Sequence, residues 1–256
     1  MMAEGLQADI LLPAFVAGLL VLASHVPLGA EVLKRGIIFI DLAIAQIAGL
    51  GIVIAHALGA EDHGWQMQTA AVSAALAGTL FLRWREKKNP ERQEAVIGVA
   101  FVVAACAAIV LLAKDPHAGE YLKELLVGQI LWTTWNDLLP LALITAGVLA
   151  AWFGLKLKSS PLGFYLLFAL AITASVQVVG VYLVFASLIV PALVAGARLW
   201  LGYALGATGY ALGLLASALF DLPSGATIVL ALTGAAIIAA VVARRRPYPL
   251  LKESKT

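Results

Sequence analysis

The residues best suited to chemistry in this sequence are polar side chains set inside apolar runs. Asp41 follows Ile37–Ile40 and precedes Leu42, Ala43, Ile44 and Ala45. A carboxylate held at the centre of a bilayer costs about 2.5–3.5 kcal/mol on insertion scales, so it invites a functional reading. That reading is a cation contact or a pathway acid. The structural alternative is an ion pair with Lys34 or Arg35, since seven residues of helix rise only about 10 Å and a lysine can snorkel that far. Gln46, Gln177 and His25 join Asp41 as candidates for a metal pathway. Each also has a packing explanation, because polar side chains in spans commonly hydrogen-bond a neighbouring helix. Glu61, Asp62 and His63, with His56 nearby, form a polar cluster that either draws cations to an outer mouth or is a solvated loop. His117 and Glu120 have i, i+3 spacing, which puts two ligands, or two charges, on one helical face. The lone Cys106 lies in an apolar run and reads as a small packing residue. No cysteine–histidine zinc spacing and no Gly-x-x-x-x-Gly-Lys-Ser/Thr phosphate loop occurs.

The elements that must position these residues follow from composition. Of the 256 residues, 62% are hydrophobic and 12% charged. Soluble domains carry about 25% charged residues, so the solvent for this surface is lipid. The net charge of +2 gives no footprint for nucleic acid. The expected fold is a single all-α, polytopic transmembrane bundle over residues 1–256, with eight or nine segments and a short basic tail at 244–256. The segments run over 10–30, 36–58, 65–82, 95–113, 138–157, 162–178, 181–195, 201–222 and 227–243. The sixth and seventh are separated only by Val179 and Gly180, and could be two half-helices or one broken span. Of the 17 Lys and Arg, 15 fall at alternate segment ends; only Lys114 and Lys123 fall at the others. The positive-inside rule then places the N-terminus outside and the C-terminus in the cytosol. The acidic Met1–Asp9 stretch lacks a basic n-region, so the first apolar segment is expected to be retained. Residues 114–135 read as an amphipathic interfacial helix followed by Trp132 and Trp135 as belt anchors. Gly202, Gly206, Gly209 and Gly213 give small-xxx-small patterns, suited to tight packing within the bundle or to dimerisation.

Five stretches, in order, resemble the permeases of bacterial ABC transporters for zinc, manganese and iron. Arg35-Gly-Ile-Ile-Phe-Ile-Asp41-Leu-Ala-Ile-Ala-Gln46-Ile-Ala-Gly-Leu-Gly51 is similar to that family's Asp-containing second-helix motif. Gln93-Glu94-Ala-Val-Ile-Gly98 is similar to its acid-Ala-Ile-Gly helix opening, and Glu124-Leu-Leu-Val-Gly128-Gln-Ile-Leu131 to its Leu-Phe-Gly-x-Ile-Leu element. The run from Val178 through Gly180 to Pro191-Ala192-Leu-Val-Ala195 resembles Val-Val-Gly followed by Leu-Ile-x-Pro-Ala. Asp221-Leu-Pro-Ser-Gly225 resembles Asp-Leu-Pro-x-Gly. One departure stands out. Many members carry Asp and His four residues apart in the second helix, whereas here the position four after Asp41 is Ala45 and the next is Gln46. The imidazole is missing, and a spacing of five does not restore one face.

The resemblance implies a permease subunit moving a divalent metal across the cytoplasmic membrane of a bacterium. It implies a second copy of the permease, a cytosolic ABC ATPase and an extracytoplasmic metal-binding protein as partners. ATP would be bound by the ATPase, leaving no cofactor in this subunit. It further implies that Pro191, Ala192, Ala195, Ala197 and Arg198 form the element coupled to the ATPase. A stand-alone secondary transporter is the rival reading, with Asp41 as its one buried ion-coupling candidate. An intramembrane enzyme is a third, without a visible nucleophile–base pair.

Overall fold

A computed structural model describes residues 8–60, 64–88, 90–112, 126–155, 160–196 and 198–243. Among these the chain is helical, with no strand. The long helices are α1 (Ala8–Arg35), α2 (Ile40–Ala57), α3 (Trp65–Lys88), α4 (Gln93–Leu111) and α5 (Trp135–Leu149). They continue as α6 (Pro161–Val179), α7 (Val181–Ala195), α8 (Leu199–Phe220) and α9 (Ser224–Ala243). Seven helical stretches are long and apolar enough to cross a membrane; α7, at 15 residues, is a shorter apolar helix. Trp65–Lys88 is not among the seven: Gln66 and Gln68 in its first turn and Arg83, Arg85, Lys87 and Lys88 in its last turns lower its hydropathy.

Local chemistry sets the ends. α1 runs five residues past the expected Ala30, carrying Pro13 and Pro27 within it. Its last turn is braced by Glu31, whose carboxylate accepts from Arg35 Nε at 3.0 Å, an i, i+4 pair. α5 starts where the Asp137 carboxylate accepts from Thr134 N (2.8 Å) and Thr134 Oγ1 (2.7 Å). Ser160 caps α6 through Gly163 N, with Pro161 at the first helical position. The question left open between segments six and seven resolves as two helices. Gly180, at φ +79, ends α6 and begins α7. Asp221 closes α8 in the left-handed conformation at φ +52.

The helices sort by packing into two groups. In one, α1 lies against α7 and α8, and α9 against α8 and α7. In the other, α2 packs on α3 and α4, and α6 on α3 and α2. The α8 glycines serve packing within the chain. A Cβ on Gly206 would meet Leu22 of α1, and one on Gly209 would meet Leu232 of α9. Cys106 is exposed on α4, so it is not the interior packing residue expected from its apolar neighbours.

Three of the motif glycines meet. Gly128 (φ +72) lies against the backbone of Val179 and Gly180, and Gly225 lies against the Val127 carbonyl. The segment after residue 125 is thereby pressed onto the α6–α7 break and the start of α9. It then forms a short 3-10 turn, Ile130–Trp132, with Ile130 buried and Trp132 79% exposed. Trp135 is exposed as well, as belt anchoring expects. The interfacial helix expected further upstream, with His117 and Glu120, lies outside the described residues, as do Glu61, Asp62, His63, Ala197 and the basic tail.

Candidate functional site

Asp41 stands at a helix start, not deep within a span. Gly36 (φ +68) breaks the chain after α1, and α2 begins only at Ile40, so Asp41 falls in its first turn. The turn is nonetheless interior: Ile37 and Ile40 are buried and Asp41 is 1% exposed. Neighbouring Phe39 reaches across to stack on Phe185 of α7, centroids 6.1 Å apart. Neither Asp41 carboxylate oxygen has a side-chain partner, and the amides of Asp41 and Leu42 in its own turn are the donors beside it. The nearest compensation is the amide end of α2, whose partial positive charge favours an anion. The expected pairing with Lys34 or Arg35 is not formed. Arg35 bonds Glu31 and places its guanidinium 4.2 Å over the Phe164 ring, and Lys34 also turns to Glu31, at 4.0 Å.

A second acid stands beside it. Glu94, in the first turn of α4, accepts from Phe39 N through Oε1 at 3.3 Å, and its Oε2 is buried without a partner. Its charge is close enough to act on Asp41. Gln93 anchors this corner by donating from Nε2 to the Leu82 carbonyl at 3.0 Å, leaving its own Oε1 unpartnered. The Tyr165 hydroxyl of α6 is buried beside the Gln93 and Glu86 side chains. The sequence alone ranked Glu94 only as part of a motif. Its position at a helix opening concealed it, because acids are ordinary in first turns. The available signal was that two such openings carry an acid in an otherwise apolar chain.

The arrangement can receive a cation. Asp41 and Glu94 offer three buried carboxylate oxygens without a side-chain partner. A buried carboxylate without compensation is costly, and a divalent ion or a proton satisfies it. No group of three or more His, Cys, Asp or Glu that could hold a metal ion occurs among the described residues. Gln46 lies one turn and a half further along α2 and is buried.

Other candidates lie elsewhere. His25 is fully buried in α1; its Nδ1 is 3.1 Å from Ser24 Oγ and its Nε2 has no partner. Gln177, near the end of α6, is exposed on the single chain. His56 is half-buried in the last turn of α2. Of the residues read as a coupling element, Pro191, Ala192 and Ala195 are buried, against Gly29 of α1 and Gly202 of α8. At this end Leu193 and Arg198 are exposed, beside a turn at Gly196 (φ +52).

Known proteins resemble this chain in sequence and in fold. A model of the ABC 3 transport family matches residues 7–153 and 146–243. The "Manganese transport system membrane protein MntC" of Halalkalibacterium halodurans is 28% identical over 229 residues, 79% of this chain and 77% of that protein. A Haemophilus influenzae protein named "Probable iron transport system membrane protein" is 24% identical over 253 residues, 89% of this chain and 91% of that one. Among solved structures, "PsaBC from Streptococcus pneumoniae in complex with Fab" superposes with a TM-score of 0.72 at 21% identity, covering 94% of this chain and 95% of that one. The helical order, the convergent motif glycines and these matches make the chain, a multi-pass membrane protein, a member of the ABC 3 transport family.

Proposed function

We propose that the chain is the permease subunit of an ATP-binding cassette importer that carries a divalent metal ion through the cytoplasmic membrane, with manganese as the favoured cargo. The observation behind this reading is the pair Asp41 and Glu94, three of whose four carboxylate oxygens are buried without a side-chain partner. The cargo follows from donor chemistry. The local donors are carboxylate oxygens of Asp41 and Glu94, without imidazole or thiolate, and carboxylate sets suit manganese better than zinc. Relatives named for manganese and for iron transport support a metal-ion cargo.

In this reading nine helices cross or enter the bilayer, with the N-terminus outside and the basic C-terminus in the cytosol. Two copies form the conducting core. An extracytoplasmic binding protein delivers the ion, and a cytosolic ATPase, which supplies the nucleotide site missing from this sequence, docks near Arg198. The test is ATP hydrolysis by the reconstituted complex with its binding protein. Manganese should stimulate it several-fold more than zinc, and Asp41→Asn should abolish the stimulation. Equal activity with no metal would end the metal-importer reading. Cysteines introduced at Lys87 and Gly59 test orientation: the first should label only from the cytosolic side, the second only from outside.

A further inference from the structure

Between α3 and α4, at the basic end of the bundle, an open groove of about 560 Å³ has no part in the proposed metal path. Its walls are apolar: Phe81 on α3, and Val96, Val99 and Val103 on α4. Arg85 and Arg92 line it too. Neither arginine has an ion-pair partner among the described residues; Arg85 approaches only the Trp84 ring, at 5.9 Å, and Arg92 is exposed. The acids nearby do not answer them. Glu94 turns away to Phe39 N, Glu86 lies toward Tyr165, and Glu91 sits exposed on the preceding turn without pairing either arginine. Trp84 and Lys88 stack at 4.2 Å on the same turn of α3, which marks the height of the headgroup layer.

We propose that this groove holds an anionic phospholipid, its phosphate between Arg85 and Arg92 and an acyl chain along Val96, Val99 and Val103. The pattern is a cationic mouth above an apolar slot on a surface that faces lipid: Val99 and Val103 are both more than half exposed. Acyl chains satisfy that face, and an anionic headgroup satisfies the two free guanidinium groups, which bind phosphate in a planar fork. Basic pockets between spans recognise anionic headgroups in this way. A zwitterionic lipid would bring its own cation beside the arginines and gain less.

The test is native mass spectrometry of the full chain, purified in detergent and titrated with phosphatidylglycerol or phosphatidylcholine. Wild-type protein should retain phosphatidylglycerol at least fivefold better. The double variant Arg85→Gln/Arg92→Gln should remove that preference, while Lys34→Gln, a cation change outside the groove, should keep it. Val99→Trp fills the slot and leaves both charges, and it should also lower phosphatidylglycerol retention. Because Val99 faces outward, this variant folds regardless of the outcome. Unchanged lipid preference in both the double variant and Val99→Trp overturns the proposal. So does efficient disulfide cross-linking between two copies through Val103→Cys in membranes, which would make the face a protein interface.

Discussion

The two helix groups treat polarity in opposite ways. In the α1–α7–α8–α9 group, buried polar side chains are matched: Ser187 Oγ lies 2.8 Å from Tyr210 OH, and Tyr203 OH donates to the Ala23 carbonyl at 3.1 Å. Glycines let these helices close on one another, as Gly18 does for the Tyr210 ring and Gly209 for Leu232. In the α2–α3–α4–α6 group, Asp41, Glu94, Gln93, Thr79 and Thr173 each leave a buried oxygen without a side-chain partner. Interiors rarely tolerate that, and where they do a ligand or a function is the usual reason. In the proposed reading the first group is scaffold and the second carries the metal path. His25, with an unpartnered Nε2 in α1, is the exception within the scaffold group.

This contrast can be broken by substitution, and the largest effect is expected where backbone meets backbone. Gly128→Val places a branched side chain at φ +72 against the backbone of Val179 and Gly180. Left-handed strain alone costs about 1–3 kcal/mol, and the clash with an immobile carbonyl adds overpacking of similar size. The expected result is loss of monodisperse protein after extraction, read by size-exclusion fluorescence. A well-behaved variant would show that the junction of the three motif glycines is loose. Gly209→Leu comes next. Its added atoms meet Leu232, with a Cβ contact of 2.5 Å to Cδ2 and 3.0 Å to Cα, so stability should fall by about 1–3 kcal/mol. The thermal midpoint should drop while cross-linking between copies stays the same. A changed oligomer with unchanged stability would instead give the glycine stripe to dimerisation.

How much of this was legible in the sequence depends on the kind of residue. Apolar length revealed the helices, since lipid forces that pattern. The paired glycines at 128 and 180 read only as motif letters, because a backbone contact between residues 52 positions apart leaves no periodicity. Asp41 was visible as a buried acid, but its neighbour was not. Two first-turn acids become a site only when the chain folds back at Gly36 and brings Phe39 beside Glu94. The arginine-lined groove was hidden for a similar reason. Arg85 and Arg92 read as topology signals, and only packing shows that an apolar slot runs between them.

A smaller effect tests the scaffold side. Ser187→Ala leaves the fully buried Tyr210 hydroxyl without its partner, which costs about 1–3 kcal/mol when no water replaces it. Chemical denaturation in detergent micelles should register the loss, while metal-stimulated ATP hydrolysis at low temperature should persist. Tyr210→Phe in the Ser187→Ala background should recover part of it, because both polar groups are then gone. If neither single nor double change moves stability, the pair is not part of the scaffold's polar matching.

The smallest effect on stability is expected at Asp41, and it separates the two groups most sharply. Asp41→Asn keeps the shape of the side chain and deletes its charge. No side chain bonds the Asp41 oxygens, and Lys34 and Arg35 both turn to Glu31, so the substitution breaks no ion pair of Asp41. The stability change should stay within about 1 kcal/mol, the size of one net hydrogen bond. Transport should nevertheless fall at least tenfold, because an amide cannot neutralise a divalent ion, and Glu94→Gln should weaken uptake in the same direction. The measurement is radiolabelled manganese uptake into vesicles holding the full complex, set against protein abundance and thermal midpoint. A structural ion pair predicts the reverse pattern, low abundance rescued when Lys34 or Arg35 is also neutralised. Wild-type uptake by abundant Asp41→Asn would leave the unpartnered carboxylates without a role in the metal path.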